Sequence, residues 1–242
     1  MMKPLLIPLT YFCLQTWQGI PQAKCQVQLS MMDDAFDDQY LGCAKEMDTE
    51  AHKLLKEEMT PPFSTVWQKA TETWKNMKSI SRPRGFKDEY GIAIVAYTND
   101  TKYNGKTFSS TFNDAVSGTK RSRAASMANF KFKAFHYYLT RVLQFLRGKC
   151  NVMYNKTVYR GTQFQYTGSG KIRFGFFASS SISRKVAEDF GTGTIFTIRM
   201  MCLDVDRMFG CMCMFPLCAV PALRRQLACH TSSEPPNDHK IC

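Results

Sequence analysis

Thr157-Val158-Tyr159-Arg160-Gly161, Lys171-Ile172-Arg173-Phe174-Gly175-Phe176-Phe177-Ala178 and Gly193-Thr194-Ile195-Phe196-Thr197-Ile198-Arg199 are three β-branched and aromatic runs separated by glycine-rich turns. That composition suits strands whose one face packs on a core. Toward the N-terminus the texture becomes helical. Asp48 to Met59 and Phe63 to Lys78 carry helix formers with periodic apolar residues, and Pro61-Pro62 breaks them apart. Phe112 to Leu146 adds more helix, while Gly91 to Thr98 is an apolar run that reads as a buried strand. The expected fold class is α+β, a helical N-terminal portion packed on a compact, mainly antiparallel β core. No internal repeat is present.

The chain has 242 residues, 44% of them hydrophobic, which suffices for a packed core and argues against a disordered protein. Its 32 Lys and Arg against 20 Asp and Glu leave a net charge of +12, densest at Lys120, Arg121, Arg123, Lys131 and Lys133. Phe130, Phe132, Phe135, Tyr138, Leu139, Val142, Leu143 and Leu146 recur there near helical spacing, so much of that cluster reads as the wet flank of an amphipathic helix. No base-stacking motif accompanies it, and no nucleic-acid partner is expected.

Met1 to Lys3 is a short basic start, Leu5 to Trp17 is uncharged and mostly apolar, and Ala23-Lys24-Cys25 offers small residues at a cleavage site before Gln26. Residues 1–25 therefore read as a signal peptide, and a secreted, extracellular product is expected. Asn99-Asp100-Thr101 and Asn155-Lys156-Thr157 become glycosylation acceptors in that path, at Asn99 and Asn155. The longest later uncharged run, Met208 to Leu223, holds Pro216 and Pro221 and falls short of the roughly 20 residues a transmembrane helix needs, so no span is expected. The His230 to Cys242 end lacks the pattern of a glycolipid anchor.

Three features carry chemistry: Arg160 near the end of a strand with Gly161 beside it, the Ser179-Ser180-Ser181 triplet closing another strand, and Phe190 next to the Gly191-Thr192-Gly193 turn. There is no G-x-S-x-G, H-E-x-x-H, Walker loop or C-x-x-C, so hydrolase, P-loop and metal readings lack support and no metal is expected.

The order of these features resembles the vertebrate ecto-ADP-ribosyltransferases, which move ADP-ribose from NAD to arginine. The likeness begins at Asp33-Asp34-Ala35-Phe36-Asp37-Asp38-Gln39-Tyr40-Leu41-Gly42-Cys43 and continues through Val95-Ala96-Tyr97-Thr98 and Lys133 to Thr140. It then takes in Tyr159-Arg160-Gly161, Arg173-Phe174-Gly175 and Phe177 to Ser181, and ends near Cys202. The resemblance implies an ADP-ribosyltransferase-like domain over 26–202 that takes NAD as substrate. It gives Arg160 the NAD pyrophosphate and Ser179 a bond to the cofactor that orders the catalytic acid. Phe190 falls to the nicotinamide end and Tyr97 to the cofactor pocket. It also implies a disulfide between Cys150 and Cys202, arginine-containing extracellular or cell-surface proteins as acceptors, and a glycolipid-anchored sister isoform as an alternative location.

The same resemblance calls for a Glu-x-Glu about a dozen and a half residues beyond Cys202, a carboxylate to hold the ribose as oxocarbenium character develops. Leu203 to Leu223 contains no glutamate, and Asp204-Val205-Asp206 comes too early with shorter side chains. Residues 203–242 form a divergent, cysteine-rich segment with five cysteines. Cys211, Cys213, Cys218, Cys229 and Cys242 are all open as partners of Cys43. Loss of the final strands is expected to open the β core and expose its edges. Two functions follow: an arginine-directed mono-ADP-ribosyltransferase, or a secreted non-catalytic NAD-binding or protein-binding pseudoenzyme.

Overall fold

The computed structural model describes residues 26–33, 35–36, 38–77, 82, 84–118, 130–147, 156–170, 172–200, 213–215 and 227–228. The expected signal peptide, Asn155, the Cys150–Cys202 pair and most of 203–242 lie outside them.

The first half is helical: α1 (Ala44–Glu58), α2 (Phe63–Asn76), α3 (Asp88–Thr98), α4 (Phe108–Ser117) and α5 (Lys133–Arg147), preceded by β1 (Gln26–Gln28). A hairpin of β2 (Lys102–Tyr103) and β3 (Lys106–Thr107) leads into α4. It turns on Asn104-Gly105, both at positive φ, as a two-residue hairpin turn requires. The second half holds β4 (Lys156–Thr162), β5 (Gln165–Thr167), β6 (Ala178–Ser180), α6 (Arg184–Asp189), β7 (Thr194–Met200), β8 (Cys213–Phe215) and β9 (Leu227–Ala228). β4 pairs antiparallel with β7 along its whole length, and on its other side Tyr159 exchanges backbone hydrogen bonds with Ser181. β1 runs parallel to β5.

Helices α1, α2, α4 and α5 each turn an apolar stripe inward. In α1 this is Met47, Ala51 and Leu55, and in α2 it is Phe63, Val66, Trp67, Ala70 and Trp74. The stripes meet in an aromatic core in which Phe108 and Phe112 of α4 each stand edge-on to Phe135 of α5 at 4.8 Å. Phe112 reaches Phe177 at 5.5 Å, carrying the core up to the residue before β6. Such pairs contribute about 0.5–1.5 kcal/mol each beyond their buried area. Buried His136 is part of the same core. Its Nδ1 shares a hydrogen bond of 2.8 Å with the Tyr40 hydroxyl, and burial pushes its pKa down to about 3, so the ring is neutral. Cys43, buried just before α1, is disulfide-bonded.

Three expectations are corrected. Gly91 to Thr98 is buried but helical, the bulk of α3. Tyr90 to Tyr97 are buried without exception, so no polar face betrays a period, and a short apolar run looks alike as strand or helix. Gly91 is required here because a Cβ would sit 2.4 Å from the Trp74 ring. Second, residues 172–177 do not form a strand; only Ala178 does, as the first residue of β6. Arg173 alone bridges to Ser30, and its guanidinium bonds the carbonyls of Met31 and Met32, the latter at 2.7 Å. Gly175 takes φ +67 beside Met32. Third, β6 and β7 each gain a neighbour from the C-terminal segment: β8 pairs antiparallel with β6, and β9 pairs parallel with Ile198 and Arg199 of β7.

Glu58, at the end of α1, caps the start of α5 by accepting from the backbone N–H groups of Ala134 (2.7 Å) and Phe135 (3.3 Å). Burial outweighs those bonds and raises its pKa from 4.5 to about 7. A carboxyl whose folded pKa is raised binds the proton more tightly folded than unfolded. It therefore costs stability as pH rises between about 4.5 and about 7. Urea unfolding on either side of that window should show wild type losing stability relative to Glu58→Gln as pH rises. A difference that does not change with pH would contradict this.

Candidate functional site

Between the α2, α3 and α4 helices and the β4, β6 and α6 elements lies a cavity of about 1040 Å³. It is large enough for a dinucleotide. All four residues expected from the sequence line it: Tyr97, Arg160, Ser179 and Phe190.

Arg160 lies within β4, two residues before its end, and its Nη1 donates to the Ser179 carbonyl at 2.8 Å and to Ser179 Oγ at 3.4 Å. Its guanidinium also stands over the Phe174 ring at 5.7 Å and the Phe176 ring at 5.8 Å. These contacts hold one edge of the guanidinium, and no described residue takes its other N–H groups. A fork of this kind suits a phosphate oxygen pair. Gly161 leaves no room for a side chain, because a Cβ there would sit 1.8 Å from the Ala187 carbonyl of α6. That close approach seats α6, whose last turn ends at Phe190, directly on β4. Phe190 is 65% exposed, an aromatic face open to the cavity.

Tyr97, at the far end of α3, is only 3% exposed, and its hydroxyl donates to the Phe177 carbonyl. Asn113 of α4 donates to the Tyr97 hydroxyl at 2.9 Å and to the Phe177 carbonyl at 3.0 Å. Burial pushes the Tyr97 hydroxyl up to about 12, against the Asn113 bond and the Arg160 charge, so it stays a neutral donor. Tyr97 thus acts beneath the cavity wall. It pins the residue before β6, and through β6 the Ser179 carbonyl that orients Arg160.

Sequence reasoning missed Asn113. It lies on a polar face of α4 with Ser109, Ser110, Asp114 and Ser117, all lining the cavity, opposite buried Phe108, Phe112 and Val116. That amphipathic pattern was its only signal. Two carboxylates line the cavity, Asp100 and Asp114, and Asp114 pairs with Lys106 at 3.1 Å. Among the described residues no group of His, Cys, Asp or Glu is placed to hold a metal ion. No helix among them is long and apolar enough to cross a membrane.

Residues 29–207 match the family model described as NAD:arginine ADP-ribosyltransferase. The chain belongs to this family. It is 40% identical over 200 residues to the T-cell ecto-ADP-ribosyltransferase 1 of Mus musculus, covering 78% of this chain and 64% of that relative. It is 42% identical over 203 residues to the T-cell ecto-ADP-ribosyltransferase 2 of Rattus norvegicus, covering 78% and 68%. With the ecto-ADP-ribosyltransferase 5 of Homo sapiens the identity is 40% over 203 residues, covering 80% and 68%. The chain thus spans about two thirds of the length of the curated relatives it matches. Its fold is similar to the crystal structure of the eukaryotic mono-ADP-ribosyltransferase ART2.2, with a TM-score of 0.65 at 34% identity over 84% of this chain and 93% of that one. A variant of ART2.2 solved in complex with NADH superposes with the same TM-score. The ADP-ribosyltransferase fold is therefore that of the α+β class expected from the sequence.

Asn113→Ala removes two donors beneath the ADP-ribosyltransferase cavity and leaves the Tyr97 hydroxyl and Phe177 carbonyl short of a partner. Urea unfolding should show a loss of about 1–3 kcal/mol. A variant as stable as wild type would mean that the Asn113 bonds contribute nothing to holding the wall.

Proposed function

We propose that the protein is a mono-ADP-ribosyltransferase that uses NAD and acts on arginine side chains of extracellular or cell-surface proteins. The observation that supports this best is the convergence of Arg160, Ser179, Tyr97 and Phe190 on one cavity, from four separate elements. NAD fits the groups present. The unpaired edge of Arg160 faces the demand of the pyrophosphate for a charge-assisted fork. Ser179 Oγ lies beside that fork and is positioned to hydrogen-bond the nucleotide. Phe190 offers an exposed ring to the nicotinamide end. The ecto-enzyme names of the relatives, together with the signal-peptide reading of residues 1–25, support a secreted or cell-surface location.

Cleaving the nicotinamide–ribose bond requires a carboxylate near the developing positive charge. The segment where the family places it, Leu203 to Leu223, has no glutamate. That single fact favours a second reading, a non-catalytic NAD-binding protein built on the same site. Both readings are separated by incubating the folded chain with NAD labelled in its ADP-ribose part and a simple guanidino acceptor, with nucleotide binding measured on the same sample. Binding with transfer supports the transferase and directs attention to Asp204 and Asp206 as the acid, through their Asn variants. Binding without transfer or nicotinamide release supports the second reading. Absence of binding overturns both.

A further inference from the structure

Asn99 follows α3 directly and leaves the helix in an extended conformation, with φ −80 and ψ 148. Its Oδ1 accepts from the Thr101 N–H at 3.0 Å and from the Thr101 hydroxyl at 3.0 Å. The asparagine and threonine of the sequon are thus already joined, with the carbonyl end of the amide engaged. No described residue bonds the other end, Nδ2. The Thr101 carbonyl accepts from Phe108 N–H at 3.1 Å, which anchors this loop to the start of α4. Asn99 is half-buried, Asp100 is exposed, and both line the cavity that Arg160 and Ser179 line. Asn99 therefore stands where the cavity wall meets solvent.

We propose that Asn99 carries an N-linked oligosaccharide that stands on the rim of the nucleotide cavity and screens access to it by size. The inference rests on the reading of that cavity as the NAD site. In the modification Nδ2 forms a bond to the anomeric carbon of an oligosaccharide carried on a lipid pyrophosphate. The bond from that carbon to the pyrophosphate breaks, Nδ2 gives up one proton, and the lipid pyrophosphate leaves with the electron pair. A glycan is bulky and strongly hydrated, and its first sugar is tied to a wall that the Thr101 bonds and the Phe108 anchor hold still. A free nucleotide passes beside it. A macromolecule has to approach over the part of the lining that the strand half supplies, where Phe164, Val186 and Phe190 are exposed. The glycan thus directs a protein acceptor to the apolar part of the rim.

The test uses the chain secreted from cells that leave high-mannose glycans, before and after trimming to a single sugar with an endoglycosidase that spares the amide. Mass spectrometry of the peptide containing Asn99 reads occupancy. Titration with free NAD reads access by a small ligand, and retention on NAD tethered to agarose reads access by a large one. The expected result is an occupied Asn99, an unchanged affinity for free NAD, and retention that rises several-fold on trimming. Thr101→Ala, which abolishes this sequon and leaves Asn155 intact, should behave as the trimmed form. Thr101→Ser, which keeps the acceptor pattern, should behave as the untrimmed one. An unmodified Asn99 in the secreted chain, or equal retention of all forms, overturns the proposal. An occupied Asn99 on a chain that binds no free NAD in any form overturns the NAD reading instead.

Discussion

The carbonyl of Phe177 receives hydrogen bonds from both the Tyr97 hydroxyl and the Asn113 amide, and this three-way junction joins the helical half of the molecule to the strand half. Two helices, α3 and α4, deliver the donors. The acceptor lies on the residue before β6, so the position of β6 follows from the helices. β6 in turn presents the Ser179 carbonyl to Arg160, and Arg160 is carried by β4, whose Tyr159 is paired to Ser181 on the same segment. A displacement of Phe177 would shift the acceptor that holds the guanidinium and widen the gap between β6 and β4 together. Burial makes the junction strong, since a hydrogen bond lost there leaves polar atoms with no water to replace it.

The junction is held in turn by packing. Phe177 lies against Phe112 and His136, and those rings belong to the same cluster as Phe108 and Phe135. Each large side chain in it contributes about 1.5–3 kcal/mol by leaving water. The neutral His136, bonded to Tyr40, ties the segment before α1 into this cluster without burying a charge. On the opposite flank of β4, glycine is used where backbones nearly touch: Gly161 against the Ala187 carbonyl, and Gly191 at φ +128 against the backbone of Gln163. Those two approaches fix α6, and with it Phe190, relative to Arg160.

Much of this was legible in the sequence. α1 and α2 declare themselves by a stripe at helical spacing, and β4 and β7 by β-branched alternation next to glycine. Gly91 to Thr98, most of α3, reads as a strand because the run is apolar throughout, which erases the period that distinguishes the two. Residues 171–178 read as a strand from their β-branched and aromatic composition. Arg173 bonds instead to Ser30, Met31 and Met32, some 140 positions away, and nothing local announces a contact at that range. Arg160, Ser179, Tyr97 and Phe190 are named by a resemblance to a family, and the structure places all four in the lining of one cavity. Asn113 escaped because an asparagine on the polar face of a helix looks like any solvent-facing residue. Tyr97 proves to work from below the cavity wall, a role that depends on where its hydroxyl points and so on the tertiary structure.

The account stands on the free edge of Arg160 as the group that takes the NAD pyrophosphate. The most direct test is a calorimetric titration of NAD into the wild-type chain and into Arg160→Ala, with a thermal melt of each to establish that both are folded. Loss of a charge-assisted pair costs about 1.5–3 kcal/mol, so affinity should fall about tenfold to a hundredfold in a folded variant. Equal affinity in the two folded proteins would contradict the account and place NAD elsewhere on the molecule.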